Sequence, residues 1–299
     1  MRRGLAVAAA LMVPVFLVLA GGPAAAGPPA SSPRSALIVG VSVHLGGRPA
    51  SPVGGAGDAA AMRDALRQAG WGEDQIRVLS GTAATAANIR AGIQWLADRA
   101  TPDSFSVFHY SGHVYQRDGD PDGDGEAKDE FLVPYDATHI ISDHELGQKL
   151  GAVNGWLWTN ISGCEAAGFN EGGNLEGPKR LFTGSSLESE KSYERPDWKE
   201  SVYTGLLADQ GMLKGHADAN GDGKVSIQEA FHFAERQAPP MTLRQRKGIQ
   251  HPYLAGGDGT EWYLNPPPPP PAPAPARSAG PGGSQGGPAK ICILPGICL

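Results

Sequence analysis

Trp156-Leu-Trp-Thr-Asn-Ile-Ser-Gly-Cys164 is an apolar run that ends on a thiol and is followed by the small-residue turn Ala166-Ala-Gly168. A run of similar make-up, Phe105-Ser-Val-Phe-His-Tyr-Ser-Gly-His113, ends on an imidazole 51 residues upstream of the thiol. Each reads as a strand buried on both faces that delivers a reactive side chain at its carboxyl end. A thiol becomes a nucleophile only when a base takes its proton or an imidazolium stands beside it. His113 is the candidate partner of Cys164. A buried, inert cysteine at a strand end is the competing reading, because free cysteine packs as a small hydrophobe.

Working outward, strands and helices alternate. Ala36-Leu-Ile-Val-Gly-Val41 is a continuous apolar run, and Asp58 to Ala69 carries Ala61, Met62, Ala65, Leu66 and Ala69 at helical spacing up to Gly70. A strand over Gln75 to Leu79 and a helix from Thr85 to Arg99 precede the His113 strand. A helix over Asp143 to Leu150 precedes the Cys164 strand, and Arg180 to Thr183 reads as a further strand. This order implies a mostly parallel central sheet covered by helices on both faces, an α/β architecture of three αβα layers. Ligands in such sheets bind outside the carboxyl ends of the strands, where His113 and Cys164 both fall.

The ends of the chain differ in kind from its body. Met1-Arg-Arg3, an apolar run from Leu5 to Ala20 and Ala24-Ala-Ala26 together read as a signal peptide over 1–26, followed by a flexible lead-in over 27–34. The run is interrupted by Pro14 and is short for a bilayer-spanning helix, so no membrane span is expected in the mature chain. One domain occupies 35–264. Residues 265–290 are a Pro/Gly-rich stalk, since proline runs form extended spacers and no packed core, and 291–299 are a tail containing Cys292 and Cys298. A disulfide loop between those two is feasible, which leaves Cys164 as an odd thiol in an exported protein. The expected location is secreted, with cell-surface association through the stalk as an option. The formal charge of −6 argues against a nucleic-acid partner.

Tyr110-Ser-Gly-His113 and Ser162-Gly-Cys164 with Gly168 resemble the histidine and cysteine motifs of the caspase-like peptidases, in particular their metacaspase and bacterial branch. Further similar segments stand in the family's order: Leu37-Ile-Val-Gly-Val41, Gly57-Asp58, Asp129-Glu-Phe-Leu-Val-Pro-Tyr-Asp136, Thr183-Gly-Ser-Ser186, Ser192-Tyr-Glu194 and Ser201-Val-Tyr-Thr204. The resemblance implies a caspase-like fold and a cysteine endopeptidase acting on a peptide or protein substrate. Cys164 would be the nucleophile and His113 the acid/base. The backbone amides of Val114 and Cys164 would form the oxyanion hole. Asp58, Ser111 and Ser162 would occupy the pocket for a basic residue before the cleaved bond. A self-cleavage site among Lys179, Arg180, Lys191 and Arg195 is also implied.

Three neighbours depart from the family pattern. Val114 replaces a glycine, and a β-branched residue does not readily take a positive φ. Ser162 replaces a carboxylate that would pair with a guanidinium. Glu165 replaces a histidine, and a carboxylate beside a thiol disfavours the thiolate. An inactive, calcium-binding pseudo-peptidase that serves as a peptide- or partner-binding module is therefore the alternative.

Two acidic segments point to a hard cation. Asp218-Ala-Asn-Gly-Asp-Gly-Lys-Val-Ser-Ile-Gln-Glu229 fits the EF-hand loop template over 218–229, offering Asp218, Asn220, Asp222, the Lys224 carbonyl, Ser226 and Glu229 to Ca2+. Ser226-Ile-Gln-Glu229 alone would also serve as a capping box for a helix running to about Arg236. Asp118, Asp120, Asp122 and Asp129 make a second candidate metal set directly after the His113 strand, in a loop that would otherwise simply be charged. Asn160-Ile-Ser162 matches a glycosylation sequon but falls in a strand expected to be buried, and His109 reads as a packed histidine.

Overall fold

A computed structural model of the chain describes residues 27–45, 54–123, 125–137, 139–173, 175–265, 292–294 and 297–298. The chain divides into two compact units, Met1–Pro268 and Pro269–Leu299. The expected signal peptide lies outside the described residues, as does the stalk apart from Asn265.

In the first unit, β1 (Arg34–Gly40), α1 (Gly55–Gln68), β2 (Ile76–Ser80), α2 (Ala86–Arg99) and β3 (Phe105–Ser111) alternate as expected. A small antiparallel sheet then interrupts the alternation: β4 (Val114–Asp118), β5 (Lys128–Leu132) and β6 (Ile141–Ser142). Helix α3 (Asp143–Gly151), β7 (Trp156–Ser162) and β8 (Arg180–Gly184) resume it. The two-residue strands β9 (Glu194–Arg195) and β10 (Glu200–Ser201) lead into α4 (Val202–Thr204) and a π-helical segment, Gly205–Leu213. Helix α5 (Ile227–Arg244) and β11 (Tyr253–Gly256) complete the unit. In the second unit, β12 (Cys292–Leu294) and β13 (Ile297–Cys298) pair antiparallel, with Cys292 opposite Cys298.

The main sheet has the order β11-β8-β7-β3-β1-β2. Its first five strands in chain order pair parallel, and β11 closes one edge antiparallel to β8. Period-2 alternation sorts each strand's side chains into two cores. Ala36, Ile38, Phe105, Val107, Trp156 and Trp158 join α1, α4 and α5 on one face. Leu37, Val39, Phe108, Tyr110, Leu157 and Ile161 join α2 and α3 on the other. The result is a three-layer αβα fold with a mostly parallel sheet.

Two expectations about element ends are corrected. Helix α5 does not stop near Arg236 but runs through Pro239 and Pro240 to Arg244, with Ala234, Ala238 and Thr242 buried along one stripe. The apolar face thus outweighs the two amide donors that the prolines remove. The expected strand ending at His113 stops at Ser111, and the chain turns at once into β4.

Candidate active site

The parallel register of β3 and β7 pairs Ser111 with Ser162, and Gly112 N–H donates to the Ser162 carbonyl at 3.1 Å. His113 and Cys164 each lie two residues beyond that pair. They line one cleft of about 360 Å3, with Gly112, Ser162, Gly163, Glu194 and Lys247 among its other walls. Glycine is required at 163, where a Cβ would stand 2.6 Å from Val114 Cγ2. The Ser185 hydroxyl accepts from Gly163 N–H at 2.9 Å and donates to its carbonyl at 2.7 Å, so the segment after β8 pins the residue before the thiol.

His113 is held by its backbone. Its carbonyl accepts from the Tyr110 hydroxyl at 2.7 Å and from Val133 N–H at 3.1 Å. The Val133 bond makes Val114 and Leu132 a non-hydrogen-bonded pair of the antiparallel ladder, so the Val114 amide faces away from β5. Val114 is absent from the residues with positive φ, and its backbone is that of a strand. The imidazole is half-buried; burial, and then the neighbouring His44, hold its pKa below the ordinary histidine value. Both causes favour the neutral imidazole.

Cys164 Sγ lies 3.9 Å from the Ser192 carbonyl. Burial, chiefly, and the carboxylates of Glu165 and Glu194 push its thiol up, against the pull of Lys191. Glu165 takes a φ of +51° and is buried in an ion pair with Lys191, which partly neutralises the charge next to the thiol. With the thiol raised and the imidazole lowered, the resting pair is thiol and neutral imidazole. In such a pair, attack by the sulfur would require transfer of its proton to the imidazole, as in general base catalysis.

Asp58 lies under the cleft, fully buried. Its carboxylate accepts from Ser111 Oγ at 2.6 Å, Ser201 N–H at 2.9 Å and Ser162 Oγ at 3.5 Å. Ser111 and Ser162 are buried with it, and of the three only Ser162 lines the cleft. The carboxylates that reach open space are others. Glu194 lines the cleft and an adjoining hollow of about 490 Å3, which Glu200 also lines. Burial and the charge of Asp58 push both up to about 7. Neither was singled out as a binding residue from sequence; the signal was present in Ser192-Tyr-Glu194, which stood there only as a family match.

A family model described as metacaspase, peptidase C14 domain, matches residues 34–154. Residues 34–154 are thus similar to a metacaspase peptidase domain. Metacaspase-1 of Mycosarcoma maydis is 29% identical over 121 residues, 38% of this chain and 30% of that protein. Metacaspase-1 of Cryptococcus neoformans var. neoformans serotype D is 43% identical over 65 residues, 20% of this chain and 14% of that protein. The chain thus spans less than a third of the length of these relatives. The crystal structure of protein GSU0716 from Geobacter sulfurreducens shares the fold, with a TM-score of 0.55 at 19% identity over 75% of this chain and 94% of that one. The family match includes His113 but stops ten residues before Cys164. Strand register, not the match, brings the thiol to the histidine.

The carboxylates of both acidic segments lie among the described residues. On the β4–β5 hairpin, Asp120, Asp122 and Asp129 bring carboxylate oxygens within 4.8 Å of one another, while Asp118 stands apart in β4, opposite Lys128. Both Asp122 carboxylate oxygens are enclosed with no hydrogen-bond partner, and an all-carboxylate set suits a hard cation. Backbone amides occupy part of both sets: on the hairpin Asp120 accepts from Gly123 and Gly125 N–H and Asp129 from Asp122 N–H, and the 218–229 loop is bonded in the same way. Asp218 accepts from Gly221 and Gly223 N–H, Asp222 from Lys224 N–H, and Glu229 from Ala219, Asn220 and Ser226 N–H. Ser226 and Glu229 form the reciprocal capping box of α5. These hydrogen bonds curl the loop, and Asp218, Asp222 and Glu229 do not converge as the hairpin trio does. Asn160 and His109 are fully buried and hydrogen-bonded to each other at 2.9 Å, and burial lowers His109 to about 3.

Proposed function

We propose that this protein is a cysteine endopeptidase that cleaves peptide bonds after a basic residue, with Cys164 as nucleophile and His113 as acid/base. The observation that carries the reading is the pair of parallel strand ends that bring these two side chains to the wall of one cleft. Neutral His113 takes the Cys164 proton as sulfur attacks the scissile carbonyl, and then donates it to the leaving amine. Water next attacks the acyl-enzyme, giving its proton to His113, and the thiol returns with release of the acid product. The Val114 and Cys164 amides are the oxyanion donors, each worth about 3 to 4 kcal/mol.

Glu194 supports the preference for a basic residue. Ser162 brings no charge to the cleft and the Asp58 oxygens are occupied by hydroxyls and an amide, whereas Glu194, whose Oε2 accepts from Gly54 N–H at 2.5 Å, leaves Oε1 for a guanidinium or ammonium. Calcium would be held by Asp120, Asp122 and Asp129 on the hairpin that follows His113, ordering it, and by the 218–229 loop more weakly. Export and display on a proline-rich stalk complete the proposal.

The test is turnover of short peptides ending in Arg, Lys or Asp by the full chain, with and without Ca2+. Cys164→Ala is expected to abolish cleavage of the Arg and Lys peptides, and His113→Ala to slow it by about 10²- to 10⁴-fold. No Cys164-dependent cleavage of any peptide would leave the pseudo-peptidase reading.

A further inference from the structure

His113 does not stand alone. The ring of His44, four residues past the end of β1, stacks on it with centroids 5.6 Å apart and planes inclined by 28°. The placement is anchored twice. His44 Nδ1 lies 3.0 Å from the Pro134 carbonyl, and the next residue, Leu45, donates its N–H to the Tyr135 carbonyl at 2.7 Å. The same strap, Val133–Tyr135, holds the His113 backbone through Val133. A carbonyl only accepts, so Nδ1 of His44 carries a proton and its neutral form has a bare Nε2. That Nε2 and the Nε2 of His113 are both enclosed with no hydrogen-bond partner. Among the described residues neither imidazole is paired with a carboxylate, in contrast to His232 and His251, which sit against Glu235 and Glu190 on the surface.

We propose that His44 is a positioning residue of the Cys164–His113 dyad, which fixes the ring plane of His113 by stacking and makes proton uptake by the two imidazoles mutually exclusive. Two like charges at this separation, with solvent excluded from the facing nitrogens, repel appreciably. The other charged and titratable groups around His113, among the described residues, are Cys164 two residues past β7, Tyr110 at the His113 carbonyl, Tyr193, Glu194 and Lys247 along the cleft, and the Glu165–Lys191 pair behind the thiol. Asp58 and Glu200 lie beyond Ser162 and Glu194. The lowered His113 pKa has His44 as its second cause after burial, in the direction this coupling requires. The consequence for catalysis is a base that stays neutral in mildly acidic surroundings, since charge on His44 opposes charge on His113.

The inference rests on the peptidase reading only for its kinetic consequence. It is tested first without turnover, by following the histidine Cε1–H resonances of the full chain carrying Cys164→Ala as pH is varied. His44→Phe keeps a ring against His113 but removes the charge; the His113 midpoint is expected to move up. His44→Ala, which removes the ring as well, is expected to move it up at least as far. Reciprocally, His113→Phe should raise the His44 midpoint by the same amount, because the coupling is mutual. Unchanged resonances of the remaining histidines report that each variant is folded, and the reciprocal variant decides the matter if His44→Phe is not. An unchanged His113 midpoint in His44→Phe, or a rise confined to His44→Ala, would show that the ring acts by burial alone and overturn the proposal. In the active chain, the acid limb of kcat/KM should shift to higher pH in His44→Phe by the NMR increment, with KM unchanged. A chain without turnover sinks the peptidase reading and leaves the NMR result standing.

Discussion

Cys164 is a thiol whose surroundings hold it in the wrong form for spontaneous attack, so its chemistry depends on His113. Alkylation by iodoacetamide should therefore rise through a pH above the ordinary thiol range of about 8.5. Glu165→Gln should bring that midpoint down by removing a negative charge, and Lys191→Met should raise it. Glu194 makes an opposite kind of prediction. With its pKa pushed up to about 7, it is neutral below and anionic above neutrality. Cleavage after Arg should gain from the charge as pH rises through 7, and a bound guanidinium should expel a proton from Glu194. Glu194→Gln is expected to lower kcat/KM for an Arg peptide by roughly 10- to 100-fold, the loss of one charged hydrogen bond, and to remove this pH step. The stability sign is the reverse. Carboxyls raised in the fold favour it most below the unfolded value near 4.5, and that contribution is lost as pH rises through about 7. Glu200→Gln should thus raise the melting temperature at pH 8 relative to wild type and make little difference at pH 4.

The strand ends work because helix α1 approaches them closely. A Cβ at Gly55 would stand 2.6 Å from the Val41 carbonyl and 2.8 Å from that of Ser111, both backbone, at the ends of β1 and β3. Gly55→Ala should destabilise the fold by about 1–3 kcal/mol in denaturant melts, as overpacking does, and carry Asp58 away from Ser111. The parallel strands were legible from sequence because burial on both faces leaves continuous apolar runs, and Leu37 and Ile38 can point opposite ways and still both be buried. The placing of His113 and Cys164 at one sheet edge was legible for the same reason: each residue follows such a run. Less legible was the β4–β5–β6 sheet, since Val114–Asp118 is largely exposed and polar with no alternation to read. Asp58 was read as part of the binding pocket, but only the fold reveals that three seryl groups enclose it. His44 carried no signal at all, as its meaning comes from a ring contact across 69 residues of sequence.

For the molecule as a whole, the two acidic segments divide the expected response to calcium. Ca2+ at about 100 times its Kd should stabilise the folded chain by about 2.7 kcal/mol per site. Asp129→Asn should remove the larger part of the rise in melting temperature, and Glu229→Gln the smaller, the latter also losing the α5 capping box. No calcium-dependent rise in the unsubstituted chain would dismiss both sites. A last consequence comes from β11, which returns to lie antiparallel on β8 after the whole of the intervening α4 and α5 region. A single nick beside Lys191 or Arg195 would cut the polypeptide but leave both pieces laddered into one sheet. The two fragments should separate on a denaturing gel and travel together on a native one, so that a processed molecule keeps the size and outline of the intact one.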